Sequence, residues 1–315
     1  MTDAAIADHA PPAAAKGSAV PQGTAETWST RLRESLAESA PRIGWTLVSV
    51  GLFAGIWELL WVAGVADPKL LPPPHVFLGA FADQAKFFNT ATRWSIGINP
   101  ADGPSPRQAM FITVGATMGR VFSGLLIASA LAVTVGVLIR YFHLFEKLTL
   151  PTITLLSPVS PIAWLPVAIF IFGIGNAPAI FMVVIALFFH MVLGTVAQID
   201  GVNRNLINVA RTMGATKRQI YLRVIVPAIL PGLLMVLRLN MFGAWMVVLI
   251  AETTGVGYGL GQVIMLARNT FNPSLVFFCI ALIGFLGFAS DWILRMVQKR
   301  ILYWVPETTG VLRGL

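Results

Sequence analysis

Six apolar stretches decide what this chain can fold into: Ile43–Val65, Ala109–Ile139, Leu148–Phe172, Ala177–Ala197, Ile220–Ile250 and Leu275–Val297. An α-helix needs about 20 predominantly apolar residues to cross the hydrocarbon core of a bilayer. Backbone amides there find no water and must pair within the helix. The expected fold class is an all-α integral membrane protein with six transmembrane helices. Charged residues make up 11% of the chain and hydrophobic ones 56%, against about 25% charged in an ordinary soluble domain, which excludes a water-soluble enzyme. Gly64-Val65-Ala66 has the small-x-small look of a cleavage site. The run before it, however, exceeds the roughly 7–15 residues of a signal-peptide core, so it is read as an uncleaved span.

An even number of spans puts both termini on one side, and the basic residues say which side. One side collects Lys16, Arg31, Arg33 and Arg42, then Arg140 and Lys147, then Arg204, Arg211, Lys217, Arg218 and Arg223, and finally Arg295, Lys299, Arg300 and Arg313. The other holds Lys69, Lys86, Arg93, Arg107 and Arg268, while Arg120 and Arg238 fall inside spans. Both termini are therefore expected in the cytoplasm. The net charge of +8 is the positive-inside pattern rather than a nucleic-acid footprint, and no nucleic-acid partner is expected.

The domain reading is a disordered cytoplasmic tail over 1–40, rich in Ala, Pro, Ser and Thr, a six-span domain over 41–304, and a short cytoplasmic tail over 305–315. Between the first two spans, Leu71-Pro-Pro-Pro74 stiffens the chain ahead of an amphipathic stretch from His75 to Phe88 that would lie along the outer surface. The segment from Ala91 to Arg107, with Gly97, Asn99-Pro100 and Asp102-Gly103-Pro104, reads as the largest external loop. Cys279 is alone, so no intrachain disulfide exists, and its apolar setting marks an inert packing thiol. His9, His75, His143 and His190 are too scattered to hold a metal, and His190 reads as packing. No phosphate-binding GxxxxGK[ST] occurs. The chain itself is expected to bind no cofactor, and any ATP is hydrolysed by another chain.

The most informative segment is the inner loop at about 200–220. Asn203 or Asn205 can N-cap a short helix whose Leu206, Val209, Ala210 and Met213 fall at i, i+3, i+4 and i+7 on one face. Gly214 can end that helix in the left-handed conformation, and Thr216-Lys-Arg-Gln219 fits a capping box that starts a second helix running into span five. The result is a short amphipathic helix with basic edges.

With these residues the sequence resembles the permease subunits of binding-protein-dependent ABC importers. Their cytoplasmic motif is Glu-Ala-Ala, three residues, Gly, nine residues, then Ile-x-Leu-Pro. Here the positions are Asn208-Val209-Ala210, Gly214, Val224, Val226 and Pro227, so Gly and Pro match in spacing while Asn208 and Val209 depart. The resemblance runs over most of 43–304 and is closest to the nitrate, sulfonate, taurine and bicarbonate branch. It is also carried by Pro158-Val-Ser-Pro161 through Pro166, Phe172-Gly-Ile-Gly175, Ala210-Arg-Thr-Met-Gly214, and Ala251-Glu252 leading to Gly259-Leu-Gly261. It implies the transmembrane domain of a type I ABC importer in a bacterial inner membrane. Such a permease pairs with a second permease, here a copy of itself, with two ATPase subunits that bind ATP and Mg, and with an extracytoplasmic solute-binding protein. The short helix becomes the coupling helix. Asn205, Asn208, Ala210, Arg211, Gly214, Ala215, Lys217 and Pro227 are its candidate coupling residues.

Pro151, Pro158, Pro161 and Pro166 punctuate span three, and the resemblance puts Pro158 and Pro161 near the translocation path. Arg120 and Arg238 should not face lipid. Either they form ion pairs that fix helix register, with Glu58 and Glu252 as available partners, or they line a cavity that attracts a small anionic solute. Arg120, Arg238 and Glu252 are accordingly candidate path residues. An ion-gradient-driven secondary transporter is the alternative, then a channel. Gly255-Val-Gly-Tyr-Gly259 is similar to a potassium filter but lacks its threonine and the preceding pore helix.

Overall fold

The computed structural model describes residues 28–64, 67, 70–96 and 104–304. The chain divides into two compact units, 1–59 and 60–315. The first contains most of α1 (Trp28–Val62), whose stretch Gly44–Val62 is long and apolar enough to span. This helix starts inside the segment read as a tail, because the helix-forming run Arg31-Leu-Arg-Glu-Ser-Leu-Ala-Glu38 continues it. Residues 1–27 and 305–315, where the rest of the two tails was placed, lie outside the described residues.

The second unit begins with α2 (Pro74–Gly79) and α3 (Phe81–Ile96). Pro74 stands in the first turn of α2, where its missing N–H costs nothing. The helix α3 corrects the expectation of a loop from Ala91. Its polar residues Thr90, Thr92 and Arg93 look like loop composition but continue the helix to Ile96. Phe81 and Phe88 meet Phe278 edge to face at 5.7 and 6.2 Å, which holds this segment to the last helix.

Next come α4 (Pro106–Tyr141), α5 (His143–Leu156), a 3-10 turn (Pro161–Trp164), α6 (Leu165–Phe172) and α7 (Asn176–Asp200). Ser105 and Gln108 cap α4 reciprocally, and Pro106 opens its first turn. Its buried Gly124, Ala128, Ala132 and Gly136 recur every fourth residue, a stripe of small side chains that lets α7 lie against the backbone. A Cβ on Gly124 would fall 2.6 Å from Val183, and one on Gly136 2.7 Å from Thr195.

These neighbours fix the topology. Arg120 meets Asn176, Gly124 meets Val183, Gly136 meets Thr195 and Arg140 meets Asp200, so α4 and α7 run parallel. The chain between them must therefore return across the same depth. That return is α5 followed by the 3-10 turn and α6, two arms bent by 102° and counted together as one broken span. The bend has a sequence cause. Pro158 and Pro161 sit at the break and Pro166 in the first turn of α6, each without an amide donor. Gly173 (φ 72°) and Gly175 (φ 145°) then turn the chain into α7.

After α7 come α8 (Arg204–Thr212), α9 (Lys217–Ile220), a π turn (Tyr221–Ile225), α10 (Val226–Gly255), α11 (Leu260–Asn269) and α12 (Pro273–Ile301). Gly194 faces Val236, Gly232 faces Gln198 and Gly243 faces Leu187, which makes α10 antiparallel to α7. Among the described residues the fold is all-helical, with five helices apolar enough to span and six crossings when the bent pair counts as one. Met182, Val183, Val192, Met241, Val248 and Leu260 form the buried centre, joined by Cys279 as inert packing.

Candidate functional site

Three groups of residues at different depths carry the chemistry of the bundle. The first is the loop at its basic end, where α4 and α7 finish. Asn203 caps α8 by accepting from the Asn205 N–H at 2.9 Å. At the other end Gly214 (φ 77°) donates to Arg211 O at 3.0 Å and Ala215 donates to Ala210 O at 3.0 Å. This is the paired bonding of a Schellman turn, which satisfies the last carbonyls. Thr216 and Gln219 form the expected reciprocal cap, and Lys217 opens α9. Leu206, Val209 and Met213 are 51%, 57% and 82% exposed. The apolar face of α8 thus points away from its own bundle, with Asn208, Arg211 and Lys217 exposed around it and Ala210 and Ala215 half-buried.

The second helix does not run straight into span five. Val226 N–H bonds Tyr221 O, five residues back, so the chain makes a π turn before α10. Pro227 explains it: proline cannot donate to the carbonyl of Arg223, and its ring would strike that carbonyl in an α-helix. The spaced Gly and Pro of the loop therefore have separate mechanical duties. Gly214 ends one helix, and Pro227 widens the base of the next.

The second group is buried far from that loop. Arg120 is 3% exposed and pairs with Glu252, which is fully buried, at 2.5 Å. Its remaining donors reach Asn176 Oδ1 at 2.9 and 2.7 Å and Tyr258 O at 3.0 Å, and its guanidinium lies 4.3 Å from the centre of the Tyr258 ring. Tyr258 in turn donates to Asn176 Oδ1 at 3.1 Å. Of the two partners available in the sequence, Glu252 is the one Arg120 takes. The same carboxylate accepts from the Gly261 N–H at 2.9 Å, while Thr117 Oγ1 accepts from the Leu260 N–H at 3.1 Å. Two orphan amides at the start of α11 are thereby satisfied. Glycine is required for this wrapping. A Cβ on Gly259 would sit 2.3 Å from the Glu252 carboxyl carbon, and one on Gly261 2.4 Å from Leu249 O.

That geometry gives a prediction. Since the obstacle at Gly261 is backbone, Gly261→Ala should displace α11 and cost about 1–3 kcal/mol. Gly284→Ala, with nothing within 4 Å, should cost little. Thermal unfolding of the two variants in detergent checks this, and equal midpoints would refute it.

The third group comprises two further ionic clusters. Arg140, at the end of α4, binds both Glu146 of α5 and Asp200 of α7. Arg238 of α10 pairs with Asp291 of α12, which is also held by Arg295 at 2.5 Å. Asp291 was not among the expected partners, although its place in the apolar run of α12, the last span, is the signal that could have found it. Among the described residues no cluster of His, Cys, Asp and Glu could hold a metal.

Residues 124–303 match the family of binding-protein-dependent transport system inner membrane components. The chain belongs to this family. A putative ABC transporter permease of Methanocaldococcus jannaschii is 32% identical over 79% of this chain and 87% of its own length. The taurine transport system permease of Escherichia coli is 26% identical over 82% of this chain and 90% of its own. Among solved structures, a chain of the inward-facing MetNI methionine ABC transporter aligns with a TM-score of 0.52 at 19% identity, over 63% of this chain and 96% of that one. The bundle is thus the transmembrane part of an ABC importer, and the chain is its permease subunit.

Proposed function

We propose that α8 is the surface through which this permease couples to ATP hydrolysis. The observation that carries this is the exposed apolar face Leu206, Val209 and Met213, capped at both ends and ringed by cations, on a helix too short to be stable unsupported. Such a face fits an apolar groove on a partner. Two cytoplasmic ATPase subunits, holding ATP and Mg, would engage the two α8 helices of a permease homodimer, and an extracytoplasmic binding protein would deliver the solute. No bond is made or broken in this chain. Arg140, Lys147, Arg211, Lys217, Lys299 and Arg300 share the basic end with α8, which supports a cytoplasmic placement of that end in the bacterial inner membrane.

The bend at Pro158 and Pro161 borders the translocation path in this reading, and Arg120 with Glu252 braces its far end. The solute is a small anion of the sulfonate or nitrate type, a reading supported by the taurine permease among the relatives. ATP binding and hydrolysis would alternate access to the path. The test is co-purification of the assembled complex from membranes. Leu206→Asp with Val209→Asp should leave the permease inserted and folded but strip it of its ATPase. An ATPase retained at wild-type stoichiometry would sink the assignment of α8.

A further inference from the structure

The three ionic clusters do not balance alike. Arg120 has one carboxylate, Arg140 has two, and Asp291 alone serves both Arg238 and Arg295. Asp291 accepts from Arg295 Nε at 2.7 Å and from Arg238 Nη2 at 3.3 Å, besides a closer bond from Arg238 Nε. The carboxylate side chain is 4% exposed, but Arg238 is 34% and Arg295 54% exposed. Arginine does not lose its proton in proteins. Among the described residues one positive charge is therefore left over at an open edge between α10 and α12, on segments that lie within the membrane.

The surface around it has a direction. Phe285, Phe288, Trp292, Arg295 and Lys299 fall at helical spacing on one face of α12, and Phe285, Phe288 and Trp292 are 66%, 58% and 56% exposed. Apolar rings thus come first along the helix and cations follow. Arg295 lies six residues before the helix end at Ile301, or about 9 Å at the rise of an α-helix. Tyr303 and Trp304 follow directly, as aromatic residues do at a membrane–water interface. The order from Phe285 to Lys299 is that of a lipid of the basic-side leaflet, acyl chain toward the midplane and phosphate toward the end.

We propose that this edge binds an anionic phospholipid, whose phosphate completes the charge of the Arg238–Asp291–Arg295 cluster and whose chain lies along Phe285, Phe288 and Trp292. Basic recesses between spans on the cytoplasmic side suit such headgroups. The site needs only the membrane placement of α12. It stands whether or not α8 docks an ATPase.

Native mass spectrometry of the full transporter complex tests it, with phosphatidylglycerol and phosphatidylcholine titrated onto delipidated protein. The wild type should retain phosphatidylglycerol about tenfold more tightly, and Arg295→Gln should erase the preference. Arg268→Gln, which removes an equal charge from the opposite end of the bundle, should keep it. Equal retention of the two lipids by the wild type, or an unchanged preference in Arg295→Gln, would overturn the site. Two other results would also overturn it. Displacement of the lipid by free taurine would assign the charge to the solute path, and a disulfide between two copies carrying Trp292→Cys would assign the stripe to a permease interface.

Discussion

Arg120→Met should destabilise the permease by about 3–5 kcal/mol, the usual consequence of stripping one partner from a buried ion pair. The cost arises at Glu252, which stays fully buried with its cation gone and only the Gly261 amide and its remaining hydrogen-bond partners to stabilise it. Changing Glu252 to methionine as well removes the stranded charge, so the double variant should regain most of what the single one loses. Thermal unfolding of the purified chain in detergent reads both. If the double variant is no more stable than Arg120→Met, the pair is not the source of the stability. A residual deficit is expected even so, because the Gly261 amide at the start of α11 loses its acceptor.

Arg140→Glu should uncouple the transporter. In the wild type this guanidinium joins the end of α4, the first arm of the bent pair at Glu146, and the end of α7 at Asp200, three residues before the cap of α8. Charge reversal would place three carboxylates together, and like charges at such distances repel. Uptake into vesicles carrying the whole complex should fall at least tenfold while the ATPase continues to turn over. Arg140→Lys should restore part of the uptake. If uptake and ATPase activity fall in equal proportion, Arg140 acts on assembly rather than on transmission.

What could be read from sequence was whatever depends on local spacing. The length of each apolar run marks a span, and Asn203, Gly214, Thr216 and Gln219 each sit where a helix end needs them. The prolines of span three announce a break but not its size, because 102° depends on how α5 rests on α4 and α7 and how α6 rests on α7 and α10. Partner choice in the interior was legible only in part. Glu252 stands near a recognisable glycine turn, whereas Asp291 lies within an apolar run fifty-three residues from Arg238. The parallel course of α4 and α7 had a signal in Gly124, Ala128, Ala132 and Gly136, yet small residues every fourth position do not name the helix they will meet. The polar end of α3 misled because polar composition alone cannot separate a helix from a loop.

The π turn at Tyr221–Ile225 also sets an angle. An α-helix advances about 100° per residue, so one additional residue in a single turn shifts everything beyond it by nearly a third of a revolution. The side chains of α9 and those of α10 are therefore not in the phase that an uninterrupted α-helix would impose. Pro227, which prevents the turn from closing to α geometry, keeps that offset in place. The rotation of α9 about the axis it shares with α10 is thus written into the chain by one ring and one spare residue.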